Sequence, residues 1–132
     1  MAKKFIYETK VYYEDTDSGG VVYYANYLNF LERARSEMIY SFGLSNNKLL
    51  KEHKTLIIVK NCQIEYKKPA KLEDKLQIYS YIISCGKASF TMNQKIMKDK
   101  VIILESKIQL VTVSLEGKPK KIPDILKNFF NK

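Results

Sequence analysis

From Phe5 to Tyr13 apolar and polar side chains alternate: Phe5, Tyr7, Thr9, Val11 and Tyr13 fall on one face, Glu8 and Lys10 on the other. A period of two predicts a strand with one buried face. The alternation breaks at Glu14-Asp15-Thr16-Asp17-Ser18-Gly19-Gly20. Such residues do not continue a strand, and the glycines permit tight backbone paths. After Val21-Val22-Tyr23-Tyr24 the period changes to that of a helix, starting near Ala25 or Asn26. Tyr27, Leu31, Ala34 and Met38 form its apolar stripe, widened by Phe30 and Phe42, with Asn29, Arg33, Ser36 and Glu37 opposite. Gly43 is a natural stop.

Ser45 to His53 predicts a short second helix, and four strand-like segments follow it. Leu56 to Tyr66 puts Leu56, Ile58, Cys62, Ile64 and Tyr66 on one face. Lys75 to Cys85 and Ala88 to Lys98 flank Gly86-Lys87, a hairpin signal, and Asp99-Lys100 marks a further turn. Val101 to Val113 sets Ile102, Leu104, Ile108 and Leu110 against Glu105, Lys107 and Gln109. Pro123 to Phe130 predicts a closing helical turn with Pro at its start. The order strand, long helix, four hairpin-linked strands implies an α+β fold with an antiparallel sheet. Its strands, of roughly twice the average length, should make the sheet curl, leaving a hollow for the one very apolar helix. Tyr79, Tyr81 and Ile83 on the second face favour a partner subunit there.

At 132 residues the chain suits one domain, 1–132, and its 45% apolar content can build a core. No apolar run is long enough to span a bilayer, and no charged segment followed by an apolar one opens the chain. The expected compartment is therefore the cytoplasm. Cys62 and Cys85 stand in strand contexts without CxxC spacing or clustered His, so they are read as small buried apolar residues. The balance of 23 basic to 14 acidic residues gives a net charge of +9. Arg33 and Arg35 are the only arginines; the lysines are spread along the chain. That charge suits a polyanion or a phosphorylated cofactor without choosing between them. Aromatics on both strand faces argue against a nucleic-acid platform.

The chemistry lies in the knot before the helix. A helix N-terminus presents unpaired N–H groups and partial positive charge, and can hold an oxyanion. Asp17 lies just upstream of it and could supply a carboxylate beside the same pocket. A carboxylate and an oxyanion site are the minimum for acyl transfer. The one histidine, His53, is distant and reads as a surface residue, so no imidazole serves an amine or alkoxide leaving group. A thiol leaves as thiolate with a pKa near ~8.5, which makes a thioester the best-fitting substrate class. The plainer alternative is an N-capping loop, with Asp15 and Ser18 in structural roles. Glu32 and Arg35, at the margins of the apolar face, fit a half-buried ion pair or a place near the pocket. Arg33 and Glu37, spaced i,i+4, fit a surface pair.

Tyr13-Glu14-Asp15-Thr16-Asp17-Ser18-Gly19-Gly20-Val21-Val22-Tyr23, then Asn26-Tyr27-Leu28, then Glu32-Arg33-Ala34-Arg35, closely resembles the 4-hydroxybenzoyl-CoA thioesterase-like branch of the hotdog superfamily, best its YbgC type. The likeness extends loosely through Tyr66-Lys67-Lys68-Pro69-Ala70 and Asp74 to Gly86-Lys87-Ala88-Ser89. It implies a hotdog fold, a curved five-stranded sheet wrapped around the helix. It also implies edge-to-edge homodimers, often paired into homotetramers, with active sites at subunit interfaces. Acyl-CoA would be hydrolysed without metal or cofactor. The acyl carrier is CoA or acyl carrier protein, and acyl-CoA binding without catalysis is the rival function for the same fold. The resemblance makes Asp17 the catalytic carboxylate and the N–H near Tyr24 the carbonyl's polariser; the phenol of Tyr24 could alternatively bond the acyl group. Tyr13, Asn26 and Glu32 are candidate substrate contacts, and Lys87, then Lys67 and Lys68, candidate phosphate contacts. YbgC proteins usually have His where this chain has Tyr24, so a role for that imidazole does not carry over.

Overall fold

The computed structural model describes residues 3–131. Strand β1 (Phe5–Lys10) leads through a 3-10 turn, Tyr13–Asp15, and the Asp/Gly loop into a second 3-10 turn, Tyr24–Asn26, and helix α1 (Tyr27–Ser41). Helix α2 (Asn46–His53), strands β2 (Leu56–Tyr66), β3 (Lys75–Cys85), β4 (Ser89–Lys98) and β5 (Val101–Val113), and helix α3 (Asp124–Phe130) follow. The five strands form one antiparallel sheet in the order β1-β3-β4-β5-β2. β3, β4 and β5 make a meander; β1 and β2 are the two edges. This is the α+β hotdog arrangement, with α1 against the sheet.

The buried face of α1 is the one its period defines. Tyr27, Phe30, Leu31, Ala34, Met38 and Ile39 are buried. They meet Leu76 and Ile78 from β3, Phe90, Met92 and Ile96 from β4, and Leu104, Ile108 and Leu110 from β5 in one core. Truncating a fully buried member such as Leu31 to Ala would cost about 2–5 kcal/mol. Gly43 at φ +79° ends α1 in the left-handed conformation, its N–H bonded to Tyr40 O at 2.9 Å. Ser45 caps α2 by accepting from Lys48 N at 2.9 Å. α3 closes one end: Phe129 stacks on Phe42 at 4.6 Å, and Phe130 packs on Phe90 at 4.6 Å.

Five expectations are corrected. Tyr13 does not share the buried face of β1, because the 3-10 turn begins there and leaves it 82% exposed. In β2 a bulge between Val59 and Asn61 shifts the phase. Val59 is therefore opposite buried Leu110 and Cys62 opposite buried Ile108, while Leu56 and Ile58 turn to the other face. In β5 the irregularity opposite Ile96/Met97 inserts Ile103, so Ile102 pairs with Met97 and leaves the phase of Leu104. Cys62 is an exposed free thiol on an edge strand, and Cys85 is only partly covered. Arg33 makes no ion pair with Glu37 among the described residues; its guanidinium lies 6.0 Å from the Phe30 ring centre.

Candidate active site

The Asp/Gly loop is a tight hairpin. Thr16 and Val22 pair antiparallel, and Asp17 N–H donates to Val21 O at 2.9 Å. Asp17 Oδ1 accepts from Gly19 N at 2.8 Å, and Asp17 O accepts from Gly20 N at 3.1 Å. Gly20 turns the chain at φ +82°, where a side chain would be strained, and a Cβ on Gly19 would sit 3.3 Å from Asp17 Oδ1. The Asp17 side chain is exposed, and this contact within its own turn is its one hydrogen bond among the described residues. Asp17 and Tyr24 do not line the cavity bordered by Arg35 and Leu49.

Asp15 behaves differently. It is buried; Oδ2 accepts from Tyr12 N at 2.9 Å, Oδ1 from Asn26 Nδ2 at 2.8 Å, and its carbonyl from Tyr23 N at 3.2 Å. These bonds fasten the end of the β1 segment to the start of α1. Asn26 is thus a structural link, and its Oδ1 also accepts from Asn29 Nδ2 at 2.6 Å.

Tyr23 N–H is spent on Asp15 and Asn26 N–H on Tyr23 O at 2.8 Å. Between them, the N–H groups of Tyr24 and Ala25 have no acceptor among the described residues. Both residues are exposed, so two donors stand open where the helical segment begins. The turn is held from the sheet by Tyr66, whose phenol donates to Tyr24 O at 3.2 Å. The Tyr66 ring packs edge-on to Tyr24 at 6.4 Å and against Tyr27 at 5.6 Å. Partial burial, helped by nearby Cys62 and Tyr24, raises the Tyr66 pKa, so its phenol keeps its proton at neutral pH. The Tyr27 hydroxyl in turn accepts from Ala70 N at 3.0 Å.

The candidate phosphate contacts fall in two places, the β3–β4 hairpin and the segment just after β2. Lys87 is exposed in the β3–β4 hairpin, and its carbonyl accepts from Ile122 N at 2.9 Å. Lys67 pairs with Glu65 at 3.4 Å and Glu105 at 3.7 Å. Lys68 is exposed, its N–H bonded to Ile103 O at 3.1 Å.

Glu32 and Arg35 line a cavity of about 330 Å³ between α1, α2 and β2. They do not form the expected ion pair, since no carboxylate lies within 4 Å of Arg35 among the described residues. Glu32 Oε2 accepts from Ser36 Oγ at 2.7 Å. Arg35 Nη1 donates to Gln94 Oε1 at 3.0 Å. Gln94 is buried, and its Nε2 donates to Leu31 O at 3.0 Å and Ser80 Oγ at 2.9 Å. Ser106 Oγ donates to Gln94 O at 2.7 Å. Sequence reasoning passed over Gln94, yet the signal was present. It occupies the inward phase of Phe90-Met92-Gln94-Ile96, where a polar side chain needs partners.

The model of the thioesterase-like superfamily matches residues 11–130. The acyl-CoA thioesterase YbgC of Haemophilus influenzae is 34% identical over 128 residues, covering 96% of this chain and 94% of that protein. The acyl-CoA thioester hydrolase YbgC of Escherichia coli O6:H1 is 38% identical over 121 residues, covering 90% of each. A crystal structure of a probable thioesterase from Bartonella henselae superposes with a TM-score of 0.88 at 32% identity, covering 92% of this chain and 100% of that one.

Proposed function

The chain belongs to the thioesterase-like superfamily and is an acyl-CoA thioester hydrolase, and we propose that Asp17 is the carboxylate that carries its reaction. The observation behind this assignment is the open N–H pair of Tyr24 and Ala25, in the 3-10 turn that follows the Thr16–Val22 pairing of the Asp17 loop. A thioester oxygen bound by those donors would have its carbonyl polarised, and the charge that develops on it in the transition state would be stabilised. With no imidazole in the loop, the thiolate departs unassisted.

Two routes balance. Asp17 attacks the carbonyl carbon, the C–S bond breaks, CoA leaves as thiolate, and water then cleaves the mixed anhydride. Alternatively Asp17 takes a proton from a water that attacks directly. Single turnover in heavy-oxygen water separates them, because label entering the Asp17 carboxylate excludes the pure base route.

Asp17 is exposed in the single chain, so a site that encloses substrate calls for a second subunit. An edge-to-edge homodimer, alone or paired into a homotetramer, supplies one. Tyr13, beside the loop, and Glu32, in the cavity, are candidates for contacts with the acyl group; Lys87, Lys67 and Lys68 are candidates for the CoA phosphates. Cytoplasmic residence belongs to the same reading and fits two cysteines that are free thiols. No helix among the described residues is long and apolar enough to cross a membrane.

The test is thiol release across a panel of acyl-CoAs by wild type and Asp17→Asn. A loss of about 10²–10⁴-fold in kcat with an unchanged melting temperature is expected. Near-wild-type turnover in the variant would remove Asp17 from its role.

A further inference from the structure

The cavity beside Arg35 is walled mainly by Met38, Ile39, Leu49, Phe90, Met92 and Leu110. A guanidinium in such a place is costly to desolvate and is retained where something bonds it. Here one nitrogen is bonded, to an amide that is itself fully committed: Gln94 gives both its N–H groups away and takes one from Arg35. That arrangement fixes the direction of the guanidinium. No buried nitrogen of it lacks a partner among the described residues, so its unbonded donors border space that solvent or a ligand can enter.

We propose that this cavity receives the acyl group and that Arg35 selects acyl chains carrying an oxygen acceptor on their distal part over plain alkyl chains. The inference rests on the thioester-hydrolase reading above and adds its substrate class. A plain alkyl tail would strip water from the guanidinium and return nothing, whereas an oxygen acceptor replaces the lost water. Arg35 lies roughly 12 Å along α1 from Tyr27, and helical side chains lean back toward the N-terminus. The selected oxygen is thus several carbons beyond a carbonyl held at the open N–H pair.

The experiment compares decanoyl-CoA, 10-hydroxydecanoyl-CoA and the ω-carboxy analogue, with calorimetric binding of the corresponding free acids as an independent readout. Wild type should favour the hydroxy over the plain ester by about tenfold or more in kcat/KM, and should bind the hydroxy acid more tightly. The ω-carboxy analogue, which offers the same guanidinium a carboxylate, should also exceed the plain ester. In Arg35→Met the hydroxy/alkyl ratio should fall to about one, and in Arg35→Lys, which keeps charge and stem, it should lie between. A wild-type ratio at or below one overturns the proposal whether or not either variant folds, as does an unchanged ratio in a folded Arg35→Met. Failure of every thioester to turn over would instead strike the hydrolase reading, and the acid-binding comparison would still decide the selectivity of the cavity.

Discussion

Asp15 Oδ1 accepts a hydrogen bond from Asn26 Nδ2 at 2.8 Å, from one side of the Asp/Gly loop to the other. The two aspartates of the loop thereby divide the work. Asp15 is buried and holds the backbone, and Asp17 is exposed and held only by its own turn. Replacing Asp15 by Ala leaves Tyr12 N–H and the Asn26 amide without their acceptor, which should cost about 1–3 kcal/mol. Urea unfolding at neutral pH checks this. The expected contrast is a destabilised Asp15→Ala beside an Asp17→Asn of wild-type stability.

Tyr66→Phe removes the O–H that holds the Tyr24 carbonyl but keeps the ring against Tyr24 and Tyr27. With the open N–H pair less well fixed, kcat should fall by about fivefold while KM holds, since a bond of this kind is worth ~1 kcal/mol. Steady-state kinetics on one acyl-CoA distinguishes this from a general loss of folding, which would lower active-enzyme concentration and the melting temperature together.

Phosphate recognition by Lys87 predicts a salt effect. Raising ionic strength toward ~1 M, where the screening length is about 3 Å, should raise KM for acyl-CoA several-fold with little change in kcat. Lys87→Ala should have a higher KM at low salt and a flatter salt response. Equal salt slopes for the two proteins would take Lys87 out of the CoA site.

Asp74 gives a pH-dependent stability. Burial pushes its pKa up, but the Lys71 N–H at 2.8 Å and the Lys98 ammonium at 3.0 Å outweigh that and hold it below the usual carboxylate value. A depressed folded pKa contributes stability that is present above the unfolded pKa, near ~3.9, and is lost as pH falls below it. Asp74→Ala should therefore be less stable than wild type by about 1 kcal/mol at pH 7, with the gap narrowing at pH 3. A gap that stays constant over that range would mean the charge contributes nothing.

Most of the scaffold could be read from period alone, because the strands are long and their inward phases are filled by Ile, Leu, Met and Phe. The bounds of β3 and β5 and the Ser45 cap of α2 follow from local chemistry. The bulge at Lys60 had no sequence mark, and it alone reversed the facing of Leu56 and Ile58. Tyr13 alternated correctly with its neighbours but was captured by the turn that Asp15 stabilises. Arg35 was placed at the edge of the apolar stripe, yet its partner is 59 residues away on β4, and only the packing of helix on sheet chooses Gln94 over Glu32. Of the site, the loop and the helix start were legible; the Tyr66–Tyr24 bond, also made across the fold, was not.

The strand order also bears on how the chain reaches this structure. β3, β4 and β5 are neighbours both along the chain and in the sheet, whereas β1 must find β3 across the whole of α1, α2 and β2. Closing the near pairs costs little chain entropy and closing the far one costs more, so the meander is the natural nucleus and the N-terminal third docks late. Core substitutions at Ile78 or Met92 should then slow refolding, while those in β1 should mainly hasten unfolding. The Asp/Gly loop, carried between the late-docking β1 and α1, is among the last parts to become ordered.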